Sequence, residues 1–129
     1  MGLAESSSPV CSRPEEASSR FAAALNAGEL ELAARCFARD ACLIAPGATA
    51  IHGREEIHSL LAQMIAQGSR IEIALSTVLR AGEVALARQR WTLSSSGPEG
   101  HRYAQDVNPA FVLRRLEGDW KIAIAMPWG

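Results

Sequence analysis

From Ile71 to Trp128 the sequence reads as strand after strand, joined by short glycine-bearing turns. Ile71, Ile73, Leu75, Thr77 and Leu79 alternate with Arg70, Glu72, Ala74, Ser76 and Val78, the period of a strand with one buried face. Ala81-Gly82 turns the chain, and Val84 to Ser94 follows as a long strand. One side carries Ala85, Ala87, Gln89, Trp91 and Leu93; the other carries Val84, Leu86, Arg88, Arg90 and Thr92. After the turn at residues 95–100, Tyr103 to Leu116 forms a third long strand. It is interrupted near Pro109, because proline cannot donate to the ladder and favours a bulge or an edge. Glu117-Gly118-Asp119 is a tight hairpin. Trp120, Ile122, Ile124 and Met126 then alternate with Lys121, Ala123 and Ala125. A sheet built this way needs a cover for its apolar face.

The first half of the chain supplies that cover. Residues 1–13 are serine-rich, carry Pro9 and have no periodicity, so a loose tail is expected before a domain spanning 14–129. Pro14 suits the first turn of a helix, and Glu15 and Glu16 suit its positive end. Ala17, Phe21, Ala24 and Leu25 form an apolar stripe, and Asn26 and Gly28 offer a stop. Leu30, Ala33, Ala34 and Phe37 predict a second short helix, ended by Asp40. Ala41–Ala45 and Ala50–His52 predict a small hairpin around Pro46-Gly47. Gly53 opens a third helix, whose Ile57, Leu60, Leu61, Met64 and Ile65 have the spacing of a helix docked on a sheet.

Helices segregated from strands indicate the α+β class. The expected architecture is a curved antiparallel sheet, a short hairpin plus four longer strands, closed on one side by three helices into a cone. Such a cone either fills with side chains or keeps a cavity. The 129 residues suffice for one domain. The net charge of -1 gives no basic excess, so nucleic acid is not an expected partner. No apolar run approaches the roughly 18 residues of a membrane span. Cysteines at 11, 36 and 42 show neither metal-clip nor redox spacing, and three free thiols suit a reducing compartment. With no basic segment leading into an apolar run at the N-terminus, the expected location is cytoplasmic. No metal or cofactor is expected.

Three segments together resemble the SnoaL-like and ketosteroid-isomerase-like proteins of the nuclear transport factor 2-like (NTF2-like) superfamily. The first runs from Phe37-Ala38-Arg39-Asp40-Ala41 through Pro46-Gly47 to His52-Gly53-Arg54-Glu55-Glu56-Ile57. The second is Arg90-Trp91-Thr92-Leu93. The third is Val112-Leu113-Arg114-Arg115, a turn, Trp120-Lys121-Ile122 and the closing Pro127-Trp128-Gly129. The resemblance covers about residues 14–129 and implies the cone-shaped NTF2-like fold. Its known chemistries carry over poorly. The general-base aspartate of a ketosteroid isomerase would fall on Ala45, and alanine cannot take a proton. Relatives often read Asp-Asn before Pro-Trp-Gly, where this chain has Ala125-Met126. The Asp–Arg–Asp triad of the epoxide-hydrolase kind has no match.

What remains as candidate chemistry is sparse. Gln89 and Trp91 share a strand face with Ala85 and Ala87. They either line a cavity above those small residues, or fill the core with Gln89 meeting a buried backbone group. Tyr103, Asp106 and Asn108 lie where the third strand bends, and bends can aim polar groups inward. Tyr103 and Asn108 join Gln89 and Trp91 as expected pocket residues. Asp106 and His52 are the candidate catalytic groups, against the plainer reading of both as surface residues. His58 and His101 read as solvent-facing, Cys36 as a buried inert thiol, and Asp40 as a structural acid holding backbone N–H groups. Arg88 and Arg90 are expected on the outer face. The expected ligand is a small hydrophobic molecule, acted on by a lyase or isomerase step if any. The alternative is a non-catalytic dimerisation or accessory domain with a vestigial cavity. The sheet's outer face, with Val84, Leu86, Ile122 or Ile124 partly shown, suits a homodimer.

Overall fold

The computed structural model describes residues 11–45, 47, 49–97 and 100–126. Residues 1–10 of the expected tail, Pro46, Ala48, Pro98-Glu99 and the closing Pro127-Trp128-Gly129 lie outside them. Over the described residues the order is α1 (Pro14–Asn26), α2 (Leu30–Arg35), β1 (Phe37–Ala45), β2 (Thr49–His52) and α3 (Arg54–Ala66). Five strands follow: β3 (Arg70–Ala81), β4 (Val84–Ser96), β5 (Arg102–Val107), β6 (Ala110–Leu116) and β7 (Asp119–Met126). The sheet order is β2-β1-β7-β6-β4-β3, with β5 and β6 sharing one edge of β4. All pairs are antiparallel except β1 with β7.

The break expected at Pro109 divides the third long strand into β5 and β6. Pro109 is buried, and its carbonyl accepts the Gln89 N–H at 3.0 Å, so the bend is fastened to β4 rather than left loose. The β6–β7 hairpin closes through Glu117 (φ 53) and Gly118 (φ 80). Positive φ at both central residues marks the turn whose twist matches the strands, and glycine at the second place accommodates it at no steric cost.

The second helix is shorter than its apolar spacing suggests. It ends at Arg35, and Phe37 is already the first residue of β1. The edge of β7 captures the chain here: the Ile122 N–H donates to the Cys36 carbonyl at 2.8 Å. Arg54 at the start of α3 donates Nε and Nη2 to the Phe37 carbonyl, at 3.1 and 2.6 Å. Asp40 therefore lies within β1, not at a helix end. Among the described residues it caps no backbone group and instead pairs with Arg114 Nη2 at 2.8 Å on the surface.

Two bulges change which residues face inward. In β3, Ile73 pairs with Trp91 but Leu75 pairs with Arg90, so Ala74 is the extra residue. In β7, Ile122 pairs with Leu113 but Ile124 pairs with Val112, so Ala123 is extra. One inserted residue inverts the alternation beyond it. Leu75 and Leu79, expected beside Ile71 on the buried face, are consequently exposed. Trp120 and Ile122 are buried, whereas Ile124 and Met126 turn outward and Ala125 inward. Ile122 thus leaves the set of expected outer-face residues, while Val84, Leu86 and Ile124 remain in it. Arg88 and Arg90 sit on that outer face as expected.

The helices pack on the inner face of the curled sheet, α1 against β3, β4, β6 and β7, and α3 against β1 and β2. Phe21 of α1 meets Phe37 edge to face at 5.3 Å between ring centroids. Trp91 lies 5.6 Å from Phe111 and 6.5 Å from Phe21. These rings fill the middle of the half-barrel.

Candidate functional site

Above β4 the interior is closed. Trp91 is 1% exposed and Gln89 5%. The Trp91 indole N–H donates to Gln89 Oε1 at 2.6 Å, and Gln89 Nε2 donates to Ser18 Oγ at 2.8 Å and Ser76 Oγ at 3.1 Å. Gln89 satisfies side-chain hydroxyls and an indole rather than a backbone group. Its polar atoms are all engaged, which is what a buried amide needs.

The other expected pocket residues lie elsewhere. Tyr103 pairs with Ser95 and is exposed, its ring lying over Gly97 so closely that a Cβ there would overlap it. Asn108 is exposed beside buried Pro109. Asp106 is exposed and accepts the Thr92 hydroxyl at 3.1 Å. His52 is exposed on β2, with its backbone N–H directed at Glu56 Oε1. His58 meets Glu31 at 2.8 Å and ties α3 to α2, and His101 is exposed. Gln89 and Trp91 are joined to each other; Tyr103, Asp106, Asn108 and His52 join neither them nor one another through any hydrogen bond among the described residues.

An open space lies at the other end of the interior, between α1, α2 and the start of β7. Its volume is about 380 Å³. Small side chains create it: Ala23 and Ala24 of α1 and the cap residue Ala27 form one side, with Leu32 of α2 also lining it. The end of α1 cannot collapse into the gap because Asn26 clamps it to β3. Asn26 Nδ2 donates to the Ile71 carbonyl at 2.8 Å, and the Ile71 N–H returns to Asn26 Oδ1 at 2.7 Å. The sequence marks Asn26 as a helix stop, and here it is also a tertiary fastening.

Cys11 and Cys36 border the space at the edge of β7. The Trp120 N–H donates to the Cys11 carbonyl at 3.0 Å, and the Cys11 N–H donates to Asp119 Oδ1 at 2.9 Å. Residue 11 is thereby fixed and buried, ahead of the helix it was expected to precede loosely. Burial, reinforced by nearby Cys11, pushes the Cys36 thiol up to about 12. Burial likewise raises Cys11, against the pull of the Arg20 charge. Both stay protonated at neutral pH, so neither acts as a thiolate nucleophile.

The charged groups around this cavity are unevenly matched. Lys121 Nζ donates to the Arg35 carbonyl at 2.6 Å and meets Asp119 Oδ2 at 3.1 Å. Asp119 is thus engaged through both oxygens. By contrast, Arg20 Nε and Trp120 Nε1 are buried with no hydrogen-bond partner among the described residues. A second recess, between α2 and α3, is of comparable size but more open. Its Arg54 is spent on the Phe37 carbonyl, and burial lowers the pKa of that guanidinium. Sequence reasoning missed Arg20, Cys11 and Trp120 as cavity residues. The one available signal was the small-residue spacing Ala23, Ala24, Ala27, which reads equally as helix packing.

A family model for the SnoaL-like domain matches residues 19–123. The chain belongs to the SnoaL-like domain family. No curated protein sequence matches it. A candidate dehydratase of the NTF2-like family from Streptomyces avermitilis superposes with a TM-score of 0.76 at 21% identity, covering 88% of this chain and 92% of that one. A candidate aromatic ring hydroxylase from Novosphingobium aromaticivorans gives 0.78 at 19% identity, over 87% and 82%. A ketosteroid isomerase-like protein from Erwinia carotovora atroseptica gives 0.75 at 19% identity, over 88% and 90%. At these identities the likeness fixes the NTF2-like fold and leaves activity open. Within this SnoaL-like domain Ala45 ends β1, Ala125 faces the core and Met126 faces out. Among the described residues no helix is long and apolar enough to cross a membrane, and no group of three or more His, Cys, Asp or Glu is placed to hold a metal ion.

Proposed function

We propose that this SnoaL-like domain binds a small, largely apolar molecule in the cavity between α1, α2 and the start of β7. One observation carries the reading: a space of about 380 Å³, walled by Ala23, Ala24, Ala27 and Leu32 together with charged side chains such as Arg20, Glu29 and Lys121, that its own side chains leave unfilled. That volume falls within the range of small-molecule sites. Binding is the primary role. A lyase or isomerase step would draw its proton acceptor from Glu29 at the rim, since Asp119 already accepts from the Cys11 amide and Lys121. Ala27→Trp tests the placement, because Ala27 is an exposed cap residue at the cavity wall and can carry a larger side chain. Compact apolar compounds should raise the melting temperature of the unaltered chain and give calorimetric heats that Ala27→Trp abolishes. Ligands bound equally by both proteins would place the site elsewhere.

The second reading, pairing with another copy through the sheet, is favoured by one row of side chains. Leu79, Leu86, Val112 and Ile124 are cross-strand neighbours on the outer face of β3, β4, β6 and β7. Leu79 is 64% exposed, and contiguous exposed apolar surface of this kind marks an interaction site. Leu86→Glu would convert a sedimenting dimer to monomer. A monomer before substitution would remove this reading without touching the first.

A further inference from the structure

We infer that a second copy of this chain adds to the sheet along the free edge of β3, antiparallel to it, with a two-fold axis at Thr77. This edge is distinct from the cavity and from the outer sheet face considered above.

Among the described residues β3 has one strand neighbour, β4, so its other side is an edge of the sheet. Which backbone groups point off that edge follows from the register. The Gln89 N–H donates to the Pro109 carbonyl, away from β3. Ser76 is paired with Gln89, so that pair is non-hydrogen-bonded and Ser76 directs its own N–H and C=O off the edge. Alternation sends the groups of Val78 and Arg80 the same way. Ile71, before the bulge, also points off the edge, and there the chain closes its own sheet. The Asn26 amide takes both the Ile71 N–H and its carbonyl, as a neighbouring strand would. Nothing does this for Ser76, Val78 or Arg80 among the described residues.

The usual defences of an edge are missing along this stretch. Residues 75–80 contain no proline and no lysine, and the bulge at Ala74 lies ahead of them. Their single charge, Arg80, is folded back. Its Nε donates to the Gly82 carbonyl at 3.0 Å, and its guanidinium carbon lies 5.1 Å from the centre of the Trp120 ring.

The side chains select the occupant. Leu79 at 64% and Leu75 at 58% are the most exposed large apolar side chains among the described residues. Both lie on the outer face of β3, on either side of exposed Thr77. With the axis at Thr77, Ser76 meets Val78 of the second copy as a hydrogen-bonded pair, and the free donors and acceptors of the edge are exchanged reciprocally. Leu75 then lies opposite Leu79 of the second copy, and Leu79 opposite its Leu75, around a Thr77–Thr77 pair. Apolar and Thr–Thr pairs across strands are stabilising. Leu75-Ser76-Thr77-Val78-Leu79 presents this outer face alike in both directions. That is the self-complementarity an isologous contact needs, and an unrelated strand would match it only by chance.

Sedimentation velocity of the full chain over a concentration series should show reversible dimers, with a Kd on the order of micromolar for so small a contact. Thr77→Cys tests the register. Residues directly opposite in a non-hydrogen-bonded pair have Cα atoms about 4.5 Å apart, within disulfide reach. Under mild oxidation Thr77→Cys should link two copies. The unaltered chain should not link, nor should Ala81→Cys, which is exposed on the same face of β3 but lies far from its own counterpart across the axis. Leu75→Lys sets a charge against Leu79 twice in each dimer. It should weaken association about tenfold or more with the melting temperature little changed, because Leu75 is already exposed. Leu86→Glu, on the outer face, should leave this pairing intact. A chain that stays monomeric throughout would overturn the inference, as would a Thr77→Cys protein that does not link at concentrations where the unaltered chain dimerises. Dimers dissolved by Leu86→Glu and not by Leu75→Lys would also overturn it, and would return the pairing to the outer face. None of these outcomes bears on the ligand of the cavity, which Ala27→Trp reads separately.

Discussion

The two buried tryptophans of the described core mark two ends of one interior, and they are finished differently. At the Trp91 end the indole N–H reaches Gln89, Gln89 reaches two serines, and aromatic rings close the space. At the Trp120 end the indole N–H reaches nothing among the described residues, Arg20 Nε is likewise alone, and the adjoining space is open. A protein that can satisfy its buried polar groups at one end shows that the fold permits it. The cost of an unpaired buried donor, about 1–3 kcal/mol each, is therefore informative at the other end. In this half-barrel the sheet face most suggestive in sequence is the filled one, and the open space lies at the helix-terminal end.

Breaking the satisfied end should have the largest effect. Gln89→Leu keeps the side-chain size and removes every polar partner. It strands the Trp91 N–H and takes the donor from Ser18, which is fully buried. The expected loss is about 2–4 kcal/mol in chemical denaturation, the sum of one orphaned donor and a lost network. A loss below about 1 kcal/mol would mean that water satisfies the group, and the contrast between the ends would fall.

The contrast explains what could be read from residues alone. Element order and the α+β class follow from alternation and turn residues, which are local properties. The inner face of β4 was also legible, since Ala85, Ala87, Gln89, Trp91 and Leu93 are all buried. Whether that face was open or filled was not, because Phe21 and Phe111 come from distant parts of the chain. The faces beyond Ala74 and Ala123 were misread because a bulge leaves no mark in the pattern until pairing is known. The cavity was hidden for a similar reason. It depends on Cys11 and Cys36 both reaching β7, and neither sequence neighbourhood announces that contact.

An intermediate effect should appear at high pH. The Cys36 thiol is raised from the ordinary 9.0 to about 12, first by burial and then by Cys11. Above pH 9 the unfolded chain releases this proton while the folded chain keeps it. Stability contributed by the neutral thiol is thus fully present below pH 9 and is lost as the pH climbs toward 12. The slope for one proton is about 1.4 kcal/mol per pH unit. Other groups titrate in the same range, so the comparison is with Cys36→Ala, whose decline between pH 9 and 11 should be shallower by about one proton. Parallel curves for the two proteins would mean that the thiol is wetted through the cavity, and would blur the line between the dry end and the open one.

The smallest effect tests the comparison most directly. Trp91→Phe and Trp120→Phe remove the same atoms from two side chains of equal burial. Each loses ring area and packing, worth about 1–2 kcal/mol at such a site. At position 91 the change also strands Gln89 Oε1, adding to the loss. At position 120 it deletes a donor that has no partner among the described residues, so the relief of that unmet group offsets part of the packing loss. Trp120→Phe should therefore cost under about 1 kcal/mol in the free protein, and less than Trp91→Phe by 1 kcal/mol or more. Equal costs at the two positions in the free protein would show that the second indole is already satisfied, and the contrast between the two ends would fall.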